Sequence, residues 1–513
     1  VHVPLKPQYW LRDRTDGPRR AAVCATTVDG NCSQVILEEA EATASSLRAP
    51  TLSMPLGVFA SQGESADEII ERLSNLRLLA ADSMKRIARL ASLWLAAHPP
   101  KSKKGLSISI VAHSADTLKR AIDSAIASLK SNPKAALHGR DGVYFEPNPI
   151  GPTGELAFVF PGSGNHYLGM GRELALHFPH IADALDADTQ RLASQFSPRE
   201  LMPWRADWPE GWRKDAERAI AHDVERLIFG QVSYGVLASD ILRNLGVTPS
   251  SVIGYSLGES VGLFAMRAWP DRDEMFRGMR ASPLLKTQVA GPRDALRKAW
   301  KLPPDASGEW CAAVIARRAD EVRGALAGLE HARLLIINTP RECVVGGLRR
   351  DVHEAAKRLG CRAIPIDGVP TVHFEAAAIV EQAYRELHLL PTSAPTGIRF
   401  YSAAAGKAYA VTRETAAESI TAQAIHGFDF PALIRQAHDD GVRLFIEIGP
   451  QGSCTRMIDR ILEGRPYFAA SASGKADDEL RSMMDLIAAL IAQRVPLDLK
   501  KLYREDLTMH RRP

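Results

Sequence analysis

No two of the six cysteines, Cys24, Cys32, Cys311, Cys343, Cys361 and Cys454, stand at a CxxC or other paired metal-ligand spacing. That argues against a disulfide scaffold or a cysteine-based metal site and fits reduced thiols in the cytoplasm. Long apolar runs are missing too. Stretches such as 334–337 are cut by charge or proline far short of the ~20 residues that a membrane-spanning helix needs, and the N-terminus lacks a basic segment leading into an apolar signal core. Neither sign of charge dominates: 64 Lys and Arg stand against 60 Asp and Glu, a formal net charge of +4, which argues against a nucleic-acid-coating protein. Internal repeats and low-complexity tracts are absent as well. What remains, 45% apolar and 24% charged over 513 residues, is ordinary globular composition with room for roughly two to four domains. Val1 opens the chain as if in mid-sequence, so the segment reads as a piece of something longer, for which missing targeting signals say little.

The apolar run 35–37 reads as a strand followed by a polar linker. From 56 to 142 a strand (57–60), an amphipathic helix (67–97), a strand (107–112) and a helix (115–131) predict a compact α+β unit, with the lysine run 101–104 as solvated surface. The Pro/Gly cluster 148–154 marks a linker. The strand 156–160, a helix beginning near Leu168, a helix over 231–245 and a strand over 251–254 then alternate as a parallel α/β sheet requires. Segments 312–316, 321–327, 334–337, 343–346, 352–359 and 363–366 read as strand, helix, strand, strand, helix, strand, a ferredoxin-like βαββαβ insertion. Strands 398–402 and 444–448 return to the sheet, and a helix over 480–493 leads to an extended tail.

Gly254-Tyr255-Ser256-Leu257-Gly258 is a GxSxG sequence with an apolar strand before it and a helix-forming stretch, 259–268, after it. That context holds a serine hydroxyl out of a sharp strand-to-helix turn, with the helix N-terminus aimed at the reacting oxygen. A second glycine-rich turn, Phe160-Pro161-Gly162-Ser163-Gly164-Asn165-His166, follows the first sheet strand. If the Ser163 and Leu257 N–H groups converge on one point they form an oxyanion hole for acyl transfer.

Together these residues resemble the acyltransferase domains of type I polyketide synthases, polyunsaturated fatty-acid synthases and the malonyl transferases of fatty-acid synthesis. Phe160 to His166 is similar to the FPGQGSQ turn, Gln231 to the family's helix-borne glutamine, and Gly254 to Glu259 to GHSLGE. Downstream, Asn338-Thr339-Pro340, Phe400-Tyr401-Ser402 and Glu447-Ile448-Gly449-Pro450 fall in the family's order over about residues 155 to 460. Gly17 to Val23 with Val35 to Glu39 resembles the C-terminal end of a ketosynthase, without the nucleophile-bearing body. The resemblance implies an α/β fold: a hydrolase-like parallel-sheet core with an inserted ferredoxin-like subdomain, preceded by an α+β linker domain. Its boundaries are a ketosynthase tail (1–49), a ketosynthase-to-acyltransferase linker (50–153), a large subdomain in two parts (154–300 and 371–462), the small subdomain (301–370) and a post-acyltransferase linker (463–513).

It also implies a ping-pong transfer of a malonyl or related acyl group from coenzyme A to the phosphopantetheine thiol of an acyl carrier protein. Ser256 is the nucleophile. His373, in Pro370-Thr371-Val372-His373, is the family's base by position, with His331, His353, His388, His426 and His438 as other downstream histidines. The family orients its base with a backbone carbonyl that falls at Asp429, whose side chain could assist. Arg280, or Arg277 one turn earlier, would hold a malonyl carboxylate, since a guanidinium makes two parallel hydrogen bonds to it; Gln231 would assist in substrate binding. Tyr255 replaces the family's histidine before the serine, and Val372 is neither the phenylalanine usual for malonyl nor the serine usual for methylmalonyl. No metal or resident cofactor is implied; the partners are acyl-CoA, an acyl carrier protein, a ketosynthase and other synthase domains, with no nucleic acid or membrane. An α/β-hydrolase-type thioesterase and a non-catalytic carrier-docking scaffold are the competing readings.

Overall fold

The computed structural model describes residues 7–40, 54–81, 86–99, 105–202, 209–221, 223–303, 309–366, 368–474 and 478–503. The apolar run at 35–37 belongs to an antiparallel hairpin of β1 (Arg20–Thr26) and β2 (Cys32–Glu38). This ribbon pairs with no third strand among the described residues, and Val23, Val35, Ile36 and Leu37 are exposed on it.

The expected α+β unit follows. β3 (Gly57–Gly63), β4 (Leu106–Ala112), β5 (Leu137–His138) and β6 (Val143–Phe145) form an antiparallel sheet in the order β3-β4-β6-β5. In place of one helix over 67–97 there are two, Ala66–Ala81 and Ile87–Ala97; residues 82–85 between them, and the lysine run 101–104, lie outside the described residues. The helix Ala115–Ser131 starts at Ser114, whose Oγ accepts the Thr117 N–H (3.2 Å) as a capping box. Both this helix and the C-terminal helix Glu479–Ala492 pack on β4, and the strand is buried along six of its seven residues.

The main sheet begins with β7 (Glu155–Phe160) and β8 (Ser251–Gly254). Between them the helix predicted near Leu168 starts at Arg172 instead, because Glu479, from the far end of the chain, accepts the Gly171 N–H (2.6 Å) and the Leu174 N–H (3.3 Å) and so caps the helix there. The helix predicted over 231–245 begins earlier, at Val224, where Asp223 caps it by accepting the Arg226 N–H (3.1 Å). Its middle is buried on every side, Gly230 to Ser239 without a break.

The chain then leaves the sheet for β9 (Trp310–Ile315), β10 (Ala332–Thr339), β11 (Glu342–Leu348) and β12 (Ala363–Ile366), with helices Ala319–Leu326 and Arg349–Arg358. It returns through β13 (Arg399–Ser402), β14 (Lys407–Tyr409), β15 (Phe428–Asp429), β16 (Val442–Glu447) and β17 (Phe468–Ser471). β12-β9-β11-β10 is the ferredoxin-like order, and β15, unforeseen in the sequence, adds to it parallel to β10. The main sheet runs β14-β13-β8-β7-β16-β17, parallel throughout except for β14. Its central strands are near-continuous apolar runs, Leu156 to Phe160 and Leu444 to Ile446, as burial on both faces demands. β17 lies beyond the expected end of this subdomain at 462, and the tail past it is tied back, Tyr503 accepting the Val58 N–H (2.6 Å).

Candidate active site

β7 and β8 are neighbours, and the two glycine-rich turns leave their carboxyl ends side by side, where open α/β sheets bind ligands. The Tyr255 N–H donates to Phe160 O (2.9 Å), and the Glu259 N–H to Ser256 O (3.1 Å), so the chain reverses within the elbow and enters the helix Gly258–Ala265 at once. A Cβ on Gly258 would lie 1.8 Å from Phe160 O, so only glycine lets the turn sit this close to β7. Ser256 itself has φ +53, the left-handed conformation that so sharp a strand-to-helix turn requires.

His373 comes from the segment that follows the small subdomain. Its Nε2 lies 2.8 Å from Ser256 Oγ, and its Nδ1 lies 2.9 Å from Gln423 O. A carbonyl can only accept, so Nδ1 carries the proton and Nε2 is left as an acceptor for the serine hydroxyl. Burial drives the imidazole down from its ordinary 6.5 to about 4, with the Gln423 carbonyl opposing, so the ring is neutral at physiological pH.

Gln423 sits in the last turn of the helix Arg413–His426 and does two jobs. While its carbonyl holds the histidine, its side-chain amide donates to Ser256 O (3.2 Å) and to Glu259 Oε2 (3.1 Å). Glu259 also accepts from Ser419 Oγ and from the Ala403 N–H (3.4 Å), and desolvation lifts its carboxyl to about 7. Gly427 ends this helix at φ +66, passing so near β10 and the histidine that a Cβ there would lie 2.0 Å from Leu335 O and 3.0 Å from His373 O. The small subdomain is joined to the elbow from the other side, the Tyr255 hydroxyl donating to Asn338 Oδ1 (2.7 Å).

A cavity of about 140 Å³ opens on the serine and is lined by Ser163, Ser256, Leu257 and His373 among others. Neither the Ser163 nor the Leu257 N–H makes a hydrogen bond among the described residues.

No protein-family model matches the chain. A polyunsaturated fatty acid synthase of Thraustochytrium sp. is 24% identical over 95% of this chain and 25% of its own length. The non-reducing polyketide synthase terA of Aspergillus terreus is 22% identical over 99% of this chain and 22% of its own. The chain therefore spans about a quarter of the length of these two relatives. Among solved structures, the acyltransferase domain from module 8 of the salinomycin polyketide synthase superposes with a TM-score of 0.66, at 19% identity, over 88% of this chain and 98% of its own. The chain has the acyltransferase fold of polyketide synthase modules. A malonyl-transacylase solved with a type II polyketide synthase acyl-carrier protein also resembles it, at TM-score 0.50 and 19% identity, over 66% of this chain and 99% of that one.

On this acyltransferase fold three expected roles are differently placed. Asp429 does not reach the histidine: it caps the helix Phe430–Asp439 by accepting the Ala432 N–H (2.8 Å), and the orienting carbonyl belongs to Gln423. Gln231 is buried but does not line the cavity; its amide donates to Gly162 O (2.8 Å), as does that of Asn165 (2.9 Å), and so braces the glycine-rich turn. Neither Arg280 nor Arg277 lines the cavity that opens on the serine. Their side chains are 57% and 61% exposed and lie near Glu225 (3.4 Å) and Asp271 (3.9 Å). Gln423 and Glu259 are the residues sequence reasoning missed. A backbone carbonyl leaves no residue signature, and in the sequence Glu259 stands only as the last letter of a motif.

Proposed function

We propose that this chain carries an acyltransferase that moves an acyl group from coenzyme A to the phosphopantetheine thiol of an acyl carrier protein through Ser256. The observation that carries this reading is the 2.8 Å approach of Ser256 Oγ to the unprotonated Nε2 of a buried, neutral His373. His373 Nε2 takes the serine proton as Oγ bonds to the thioester carbon. The negative oxygen of the tetrahedral intermediate would be met by the Ser163 N–H from the glycine-rich turn after β7 and by the Leu257 N–H at the N-terminus of the elbow helix. When the carbon–sulfur bond breaks, the departing coenzyme A thiolate takes that proton back, leaving an acyl ester on Ser256. The carrier thiol then repeats the cycle in the second half, giving its proton to His373 as its sulfur bonds to the acyl carbon and Ser256 leaves.

A hydrolase of the same fold class uses a carboxylate behind its histidine; here Nδ1 meets the Gln423 carbonyl, which favours the two-residue arrangement. The likeness to a transacylase solved with its carrier protein supports a carrier as acceptor. The domain boundaries, with a ketosynthase tail in the β1–β2 hairpin, form part of the same proposal. The test is trapping. Incubation with acyl-CoA should add one acyl mass to the intact chain, mapped to Ser256, discharged by holo-carrier protein faster than by water, and absent from Ser256→Ala and His373→Ala.

A further inference from the structure

Resting on the Ser256 acyl-enzyme above, we infer that this site takes an uncharged, apolar acyl chain rather than one ending in a carboxylate. No Asp, Glu, Lys or Arg lines the cavity among the described residues. Its two histidines, His373 and His388, are each pushed down to about 4 by burial and carry no charge at neutral pH. A carboxylate placed there would be a buried anion with no cation to pair with.

The helix Arg272–Ala281, where a clamp is expected, presents its other face. Met275 and Met279, four residues apart and so on one side of the helix, line the cavity. Arg277 and Arg280 stand about 200° and 140° around the helix from Met275. Arg280 is further occupied by Glu225 (3.4 Å) and stacks over Phe276, its guanidinium carbon 5.4 Å from the ring centre.

The cavity has depth as well as apolarity. It is lined from Ser256 to Phe264, near the far end of the elbow helix, and by Met275, Met279 and Leu387. From Gly258 to Phe264 the helix rises about 9 Å. An extended chain covers roughly 1.2 Å per bond, so about seven or eight bonds span that length. An octanoyl group is the matching probe.

The full chain is offered octanoyl-CoA and malonyl-CoA in equal amounts, and adducts are read by intact mass and peptide mapping. Octanoyl on Ser256 should exceed malonyl by at least about tenfold. Arg280→Ala should leave that ratio unchanged, whereas Met279→Arg, which puts a cation on the cavity side, should shift it toward malonyl. A malonyl adduct that dominates in the wild type and is lost in Arg280→Ala overturns the inference while leaving Ser256 as nucleophile. No adduct from either thioester, with Ser256 also unlabelled by a serine-directed fluorophosphonate, overturns the acyl-enzyme reading itself.

Discussion

Lowering the pH asks whether His373 works as a neutral base in a dry site. Burial takes its pKa from 6.5 to about 4, and the Gln423 carbonyl, which favours the protonated ring, offsets only part of that. The fall corresponds to about 3 kcal/mol against the imidazolium. In single-turnover acylation, with rapid quench and intact-mass readout, the rate should therefore hold level from about pH 8 to about pH 5.5 and halve only between about pH 4 and pH 5. A solvated histidine would halve the rate near pH ~6.5. Folding must survive the same range for the assay to be clean. The folded pKa of His373 lies below its unfolded value, so its contribution to stability is present above 6.5 and is lost as the pH falls through about 4; His388 behaves alike. Glu259 and Glu479 run the other way. Each is raised by burial from 4.5 to about 7, so each contributes stability that is present below 4.5 and lost as the pH rises through about 7. The two pairs oppose each other over nearly the same window, so the unfolding midpoint is read at each pH beside acylation. Glu259, which titrates near 7 and accepts from the Gln423 amide, is controlled for with Glu259→Gln; a half-loss of acylation at pH ~6 or above that persists in that variant, with the fold intact by circular dichroism, refutes the buried neutral base.

Ser256→Gly should be more stable than Ser256→Ala in urea unfolding, by about 1 kcal/mol in unfolding free energy, because glycine alone adopts φ +53 without strain; neither variant should form an adduct. Asp429→Ala should cost about 1 kcal/mol through loss of the helix cap and leave acylation unchanged; a large fall in rate without unfolding would return the histidine-holding role to Asp429. Gly427→Ala should cost about 3 kcal/mol or more in denaturant unfolding, since the new methyl group collides with Leu335 O at an unfavourable φ; an unchanged midpoint would mean that the helix end can move aside.

Much of this arrangement is written in local patterns. The apolar strand, the glycine-flanked serine and the helix after it specify the elbow within about ten residues, and the βαββαβ order, which needs only periodicity, places the small subdomain to within a few residues at each end. His373 is legible by its place after that subdomain. What is not legible depends on atoms that carry no residue identity or on rotation of an element. The carbonyl that holds His373 could belong to any residue, and it falls at Gln423, six residues before Asp429. On the helix Arg272–Ala281 each step turns the side chain by about 100°, so choosing an arginine by sequence offset leaves its direction open; the Met275 and Met279 spacing was the available signal. The start of the helix at Arg172 is fixed by Glu479, more than 300 residues away, which no local window contains.

Gly427 touches no reacting atom, yet its missing side chain is the clearance through which the end of one helix threads between β10 and the segment carrying His373. In a saturation scan this position should be as intolerant as Ser256. Its losses would be of a different kind: abundance and turnover would fall together, whereas substitutions at Ser256 would silence the chemistry in a chain that still accumulates.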